Sequence, residues 1–297
     1  MIASRHCRQF HRPSGGIGDN AIIFDNSPGG GVKVVPEIYA IAEDPPVIAD
    51  PTTATTVTLV SGDLSIPAYL AQPPGAGPWP GVVVIQEVFG VNAHIQSVCQ
   101  RLAGAGYLAI APHIYHRQVA YFAVGYTEAD LALGRRYKLG TQAEELLQDM
   151  QAAIAYLYSA AGARFGGVGC LGFCFGGHVA YLAATLPPVK ATASFYGAGI
   201  TTTCPGGGTP TLGRTAAITG TLYGFFGEQD PLIPLTEVDQ IEAALVEHQV
   251  PHRLFRYGGA GHGFFCDQRD SYHPAAAQDA WQQVLALFAA TLPSALG

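Results

Sequence analysis

From Thr55 onward the hydrophobic positions follow two periods in turn. Thr56–Val60 and Leu64–Leu70 alternate residue by residue around Ser61-Gly62-Asp63, the pattern of a hairpin. Val82-Val83-Val84-Ile85 is an unbroken β-branched run, as a strand buried on both faces requires. Asn92 can then cap a helix that puts Ile95, Val98 and Leu102 on one side and stops near Gly104 or Gly106. Tyr107–Ala111, Gly167–Cys170, Lys190–Tyr196, Leu222–Phe226 and His252–Tyr257 read as further strands. Thr141–Tyr158, Thr236–His248 and Ala275–Leu292 carry the helical period, the first with Leu146, Met150, Ile154 and Leu157 on its apolar side. Strands alternating with helices predict an α/β fold: a mostly parallel central sheet with helices on both faces.

Residues 1–54 break the rhythm. Pro28-Gly29-Gly30-Gly31 and Glu43-Asp44-Pro45-Pro46 interrupt any regular element, and only Val32–Ala40 reads as a weak strand. The expectation is a Gly/Pro-rich, poorly ordered extension over 1–54, followed by one domain over 55–297.

Composition narrows the function. Charged residues are 12% of the 297, hydrophobic residues 48%, and the net charge is −7. This opposes a polybasic surface for nucleic acid or anionic lipid. Mean hydropathy is +0.21, yet the apolar stretches are strand-sized and none predicts a membrane span. The six cysteines include no CxxC pair, and a chain of this size needs no disulfide framework. The basic N-terminus is followed by no apolar h-region, so a cytoplasmic protein, monomeric or a small homo-oligomer, is expected. No P-loop or dinucleotide fingerprint calls for a cofactor. No metal site is read either: Cys170, Cys174 and His178 are evenly spaced, but Cys170 stands in a strand.

Chemistry concentrates in three places. Gly172-Phe173-Cys174-Phe175-Gly176-Gly177 joins a strand to a helix with the G-x-S-x-G spacing, cysteine replacing serine. That turn lifts Cys174 above the sheet at a helix N-terminus, where the macrodipole favours thiolate, and offers the Phe175 N–H as an oxyanion donor. Asp230 follows the strand Leu222–Phe226, and His262 lies in the glycine-rich loop after Tyr257. Nucleophile, acid and histidine in this chain order, each beyond the C-terminal end of a strand, predict a Cys174–His262–Asp230 triad. Glu87 ends an apolar strand, where a buried carboxylate needs a partner; the expectation is a hydrogen bond from the resting Cys174 thiol.

Gln86-Glu87-Val88-Phe89-Gly90-Val91-Asn92, the elbow, Asp230-Pro231 and Ala260-Gly261-His262-Gly263-Phe264 resemble the dienelactone hydrolase (carboxymethylenebutenolidase) family over roughly residues 55–295. The resemblance implies an α/β-hydrolase fold, a Cys-His-Asp triad with Glu87 beside the nucleophile, and Val88 as second oxyanion donor. It also implies small ester or lactone substrates, dienelactone among them. Two family arginines are replaced: Cys266 stands four residues after His262, and Leu133 four before Tyr137-Lys138-Leu139. A substrate carboxylate is thereby left to Arg117, Arg136 or Arg269, with Phe89, Tyr115 and Tyr196 as pocket walls. A cysteine nucleophile favours esters with stabilised leaving groups, because thiolate itself departs more readily than alkoxide. Esterase action on uncharged small esters, and a non-catalytic binding module on the same fold, are the alternatives.

Overall fold

The hairpin and the apolar runs assemble into one sheet. The computed structural model describes residues 52–159 and 161–292, with the backbone of 21–23 and 33–35. The chain divides into two compact units, Met1–Ala49 and Asp50–Gly297. Of the first, β1 (Ala21–Ile23) pairs antiparallel with β2 (Lys33–Val35), inside the stretch read as a weak strand. The expected lack of order over residues 1–51 otherwise lies outside the described residues.

In the second unit the elements run β3 (Thr53–Ser61), β4 (Leu64–Gln72), β5 (Trp79–Ile85), α1 (Ala93–Gly104), β6 (Leu108–Pro112), α2 (Glu128–Leu139), α3 (Ala143–Ser159), β7 (Ala163–Phe173), α4 (Phe175–Ala183), β8 (Val189–Phe195), a 3₁₀ turn (Thr211–Ala217), β9 (Thr221–Gly227), α5 (Leu235–Glu247), β10 (His252–Tyr257) and α6 (Pro274–Thr291). The eight strands lie in the order β10-β9-β8-β7-β5-β6-β4-β3. Only β4 runs antiparallel to its neighbours β3 and β6. This is the α/β-hydrolase sheet, as expected.

Period-two packing explains why β5 lies deep in the sheet. Val82 and Val84 join the core beneath α1, α5 and α6, while Val83 and Ile85 join the core beneath α3. Each such side chain stabilises the fold by about 1.5–3 kcal/mol. From β5 the chain crosses to β6 on one side and later to β7 on the other. That divergence opens the crevice at the strands' C-terminal ends where ligands bind in open α/β sheets.

Three features differ from the expectations. β7 extends from Ala163 rather than from Gly167, because Gly166 and Gly167, at φ 121° and 136°, carry the strand through a conformation other residues resist. α2 was not expected: one of its twelve residues, Gly134, is buried, so its apolar period is faint. The 3₁₀ turn was also missed, its Thr- and Gly-containing sequence having no helical period.

Candidate active site

Cys174 stands between β7 and α4 at φ 55°, ψ −117°, a strained conformation for a residue with a Cβ. The elbow glycines allow it. A Cβ on Gly172 would lie 1.9 Å from the Gly176 carbonyl oxygen, and one on Gly176 would lie 2.3 Å from that of Ile85. The tight turn seats the first turn of α4 on the end of β5 and leaves Cys174 half-buried among fully buried neighbours. Val88 and Phe175 are buried. Among the described residues, neither of their backbone N–H groups donates to a loop or cap carbonyl.

Asp230 and His262 come from adjacent loops, after β9 and β10, tied together by the Gln229 N–H donating to the Ala260 carbonyl at 2.9 Å. The Leu232 N–H donates to Asp230 Oδ1 at 2.8 Å, which leaves Oδ2 to accept from His262 Nδ1 at 2.7 Å. His262 Nε2 is buried and lacks a hydrogen bond of full geometry. It lies against Cys174, and each group shifts the other's ionisation. Below, Phe264 and Phe265 of the histidine loop pack on Phe195, with ring centroids 6.2 and 4.9 Å away. Phe195 in turn stacks on Phe225 at 4.3 Å. Aromatic pairs of this kind add about 0.5–1.5 kcal/mol each beyond area burial, so the loops rest on a stiff floor.

The electrostatics favour an ion pair. Burial pushes the Cys174 thiol up, but His262 beside it outweighs burial and holds the thiol below its ordinary value; Arg269 helps and Glu87 opposes. Burial pulls the His262 imidazole down, yet the Cys174 thiolate and the Asp230 carboxylate raise it to about 10. The pair therefore titrates as a unit, with thiolate beside imidazolium in between. Elsewhere burial pushes Cys170 up to about 12 and Cys266 up to about 11.

Glu87 differs from its expected arrangement. Its carboxylate is fully buried, but Oε1 accepts from Arg269 Nη1 at 3.1 Å, and Cys174 turns to His262 instead. The buried carboxylate has found a cation, which stabilises its charge better than a neutral thiol does. Arg269 arrives because the Arg269 N–H donates to the Cys266 carbonyl at 3.2 Å, curling the chain back over Gly263. A Cβ on Gly263 would fall 2.2 Å from the Arg269 guanidinium. The guanidinium also lies over the rings of Phe89 and Tyr126, 5.6 and 5.7 Å from their centroids.

The other two arginines are placed elsewhere. Arg117 pairs with buried Asp149 of α3 at 2.8 Å and with Glu145 at 3.7 Å, while Arg136 is on the exposed side of α2. Tyr115 and Tyr196 are fully buried with hydroxyls that have no hydrogen-bond partner among the described residues. The Tyr196 ring meets the His262 ring edge-on at 5.2 Å. Two residues near Glu87, Tyr126 and His94, were not singled out in the sequence. Tyr126 accepts from Asn92 Nδ2 at 3.1 Å and from Cys266 Sγ at 3.2 Å. His94, on the first turn of α1, packs edge-on against Phe173 and Phe265. Nothing in the local pattern marks them, since their partners lie far away in the chain.

A thiol set beside an acid-oriented imidazole is an arrangement able to attack a carbonyl. Residues 66–292 match the dienelactone hydrolase family. A protein of Synechocystis sp. named as a carboxymethylenebutenolidase is 52% identical over 234 residues, 79% of this chain and 95% of its own length. A Bradyrhizobium protein named as a 2-oxo-3-(5-oxofuran-2-ylidene)propanoate lactonase is 32% identical over 73% of this chain and 86% of its own. The crystal structure of a Klebsiella pneumoniae protein named as a dienelactone hydrolase superposes with a TM-score of 0.73 at 31% identity, covering 80% of this chain and 98% of that one. Fold, extent of match and relatives agree, and the chain belongs to the dienelactone hydrolase family, a family of ester and lactone hydrolases.

Proposed function

We propose that this enzyme hydrolyses small activated esters or lactones, of the enol-lactone type, through a Cys174 thioester. The observation that carries the reading is the His262 imidazole, hydrogen-bonded to Asp230 at 2.7 Å and set against a thiol on a strained turn at a helix N-terminus. The thiolate adds to the carbonyl carbon, and the Val88 and Phe175 N–H groups hold the oxyanion. On collapse the C–O bond breaks and the enolate leaves, receiving the proton carried by His262. A water molecule, deprotonated by His262, then adds to the thioester; the thiolate departs and the acid is released. Asp230 holds the imidazole tautomer throughout.

Arg269 gives the reading its substrate preference. One-fifth exposed and paired with Glu87 through a single nitrogen, it retains donors for a carboxylate on the substrate, as in the lactone of the Bradyrhizobium relative's name. Phe89, Tyr115 and Tyr196 form the walls.

The test compares Cys174→Ala and Cys174→Ser on a p-nitrophenyl ester, an enol-lactone and an alkyl ester. Cys174→Ala is expected to lose at least about 10³-fold in kcat/KM on the first two. The wild type is expected to turn over aryl and enol esters far faster than alkyl ones. Full activity in Cys174→Ala refutes the nucleophile, and equal rates on all three refute the leaving-group argument.

A further inference from the structure

Behind the catalytic cysteine lies a second constellation that the hydrolytic steps do not use. Glu87, His94 and Cys266 are all buried, and one ligand atom from each lies within 4.8 Å of the other two. Two of these side chains also carry a buried atom without a partner: Glu87 Oε2 and His94 Nε2 make no hydrogen bond among the described residues. Buried polar atoms left this way are costly, and two converging on a thiol need a ligand to satisfy them.

We propose that Glu87, His94 and Cys266 bind one zinc-type divalent cation. The donor set is one sulfur, one nitrogen and one oxygen. That selects Zn²⁺ over Mg²⁺ or Ca²⁺, which take oxygen ligands. Zinc bonds of about 2.0–2.3 Å imply ligand atoms about 3.5 Å apart, so the three side chains close by roughly 1 Å on binding. The ligands are prepared for it. Burial, which outweighs the nearby Glu87 carboxylate, keeps His94 below its ordinary value and so neutral at pH 7, the form that ligates. Its ring is fixed by Phe173 and Phe265. Binding replaces the proton on Cys266 Sγ by the metal and releases that proton to solvent. Tyr126, now accepting from the thiol at 3.2 Å, then turns its own O–H to the thiolate as an outer-shell donor.

Charge permits the exchange. The cation's two charges balance the carboxylate and the new thiolate. Arg269 opposes entry, but it bonds Oε1 rather than Oε2 and is one-fifth exposed, so it can swing outward. The bound ion takes Glu87 from Arg269, which then leaves the place proposed for the substrate's carboxylate. The consequence is reversible, metal-dependent inhibition of ester turnover.

The test uses the full chain and two readouts. Co²⁺ is titrated for sulfur-to-metal charge-transfer absorption, and Zn²⁺ affinity and stoichiometry are measured against a chelating indicator. One equivalent per chain with a sulfur band is expected, retained in Cys174→Ala. Cys266→Ala is expected to lose the band, and both it and His94→Gln to bind Zn²⁺ more than about 100-fold more weakly, beyond the loss of an outer-shell partner. Zn²⁺ should slow the wild type and release it on chelation, with His94→Gln and Cys266→Ala resistant relative to their own metal-free rates. Melting curves confirm that each variant is folded. Absence of a sulfur band, or a band lost in Cys174→Ala but kept in Cys266→Ala, overturns the proposal. The binding readout requires no turnover, so failure here is distinct from failure of the hydrolase reading.

Discussion

At the residue scale, reactivity is a matter of which thiol has a base beside it. Cys170 and Cys266 are buried, and burial raises both. Cys174 is equally disfavoured by burial, but His262 reverses the sign. Among the cysteines of the described residues, iodoacetamide should therefore modify Cys174 alone at neutral pH. Its rate should rise with pH at values below the ordinary thiol range, with a second step near pH 10 as the imidazolium loses its proton. In His262→Gln the first rise moves up towards the ordinary thiol range or beyond, because the imidazole no longer outweighs burial; a wild-type profile rising only there refutes the ion pair. Arg269 makes a separate prediction. Arg269→Met should lower kcat/KM about 10- to 100-fold more on a carboxylate-bearing enol-lactone than on a neutral aryl ester, the worth of one hydrogen bond between charged groups. An equal loss on both removes Arg269 from substrate recognition.

At the element scale, legibility followed burial. β5 could be read because both its faces are apolar, and α1 because Asn92 caps it and Ile95, Val98 and Leu102 share a stripe. The elbow was legible because the glycines demanded by close backbone approach leave a fixed spacing. α2 was not, since it has no stripe to bury, although Thr127 and Asp130 form a capping box that marks its start. Gly134 is its contact with the site: a Cβ there would lie 2.3 Å from the Val88 carbonyl oxygen. Gly134→Val should therefore displace the peptide next to the proposed oxyanion donor and lower kcat about 100-fold, with KM changed little. Unchanged kcat in a folded variant separates α2 from the chemistry.

At the scale of the whole molecule, the three residues of the proposed triad could be picked out because they sit beyond strand ends in a fixed chain order, while the surroundings of Glu87 could not. Arg269 reaches that carboxylate by one turn of chain and a missing Cβ at Gly263, and His94 by the packing of α1. Neither depends on a spacing that can be counted. The match begins at residue 66, and the Synechocystis relative is covered over 95% of its own length. We therefore expect Asp50–Gly297 expressed alone to keep its melting temperature and to hydrolyse a p-nitrophenyl ester within about twofold of the full chain, as a unit of that size supports its own core. Loss of folding would assign residues 1–49 to the core instead.

The exposed α2 helix has a consequence for adaptation. On the proposed mechanism it lies one atom layer from the oxyanion cradle, yet Arg135, Arg136 and Leu139 on its surface touch nothing that reacts. Substitutions there alter only how firmly the helix stays wound and seated. They form a dial on turnover that selection or a designer can turn in small steps, leaving the reacting groups and the sheet that carries them unchanged.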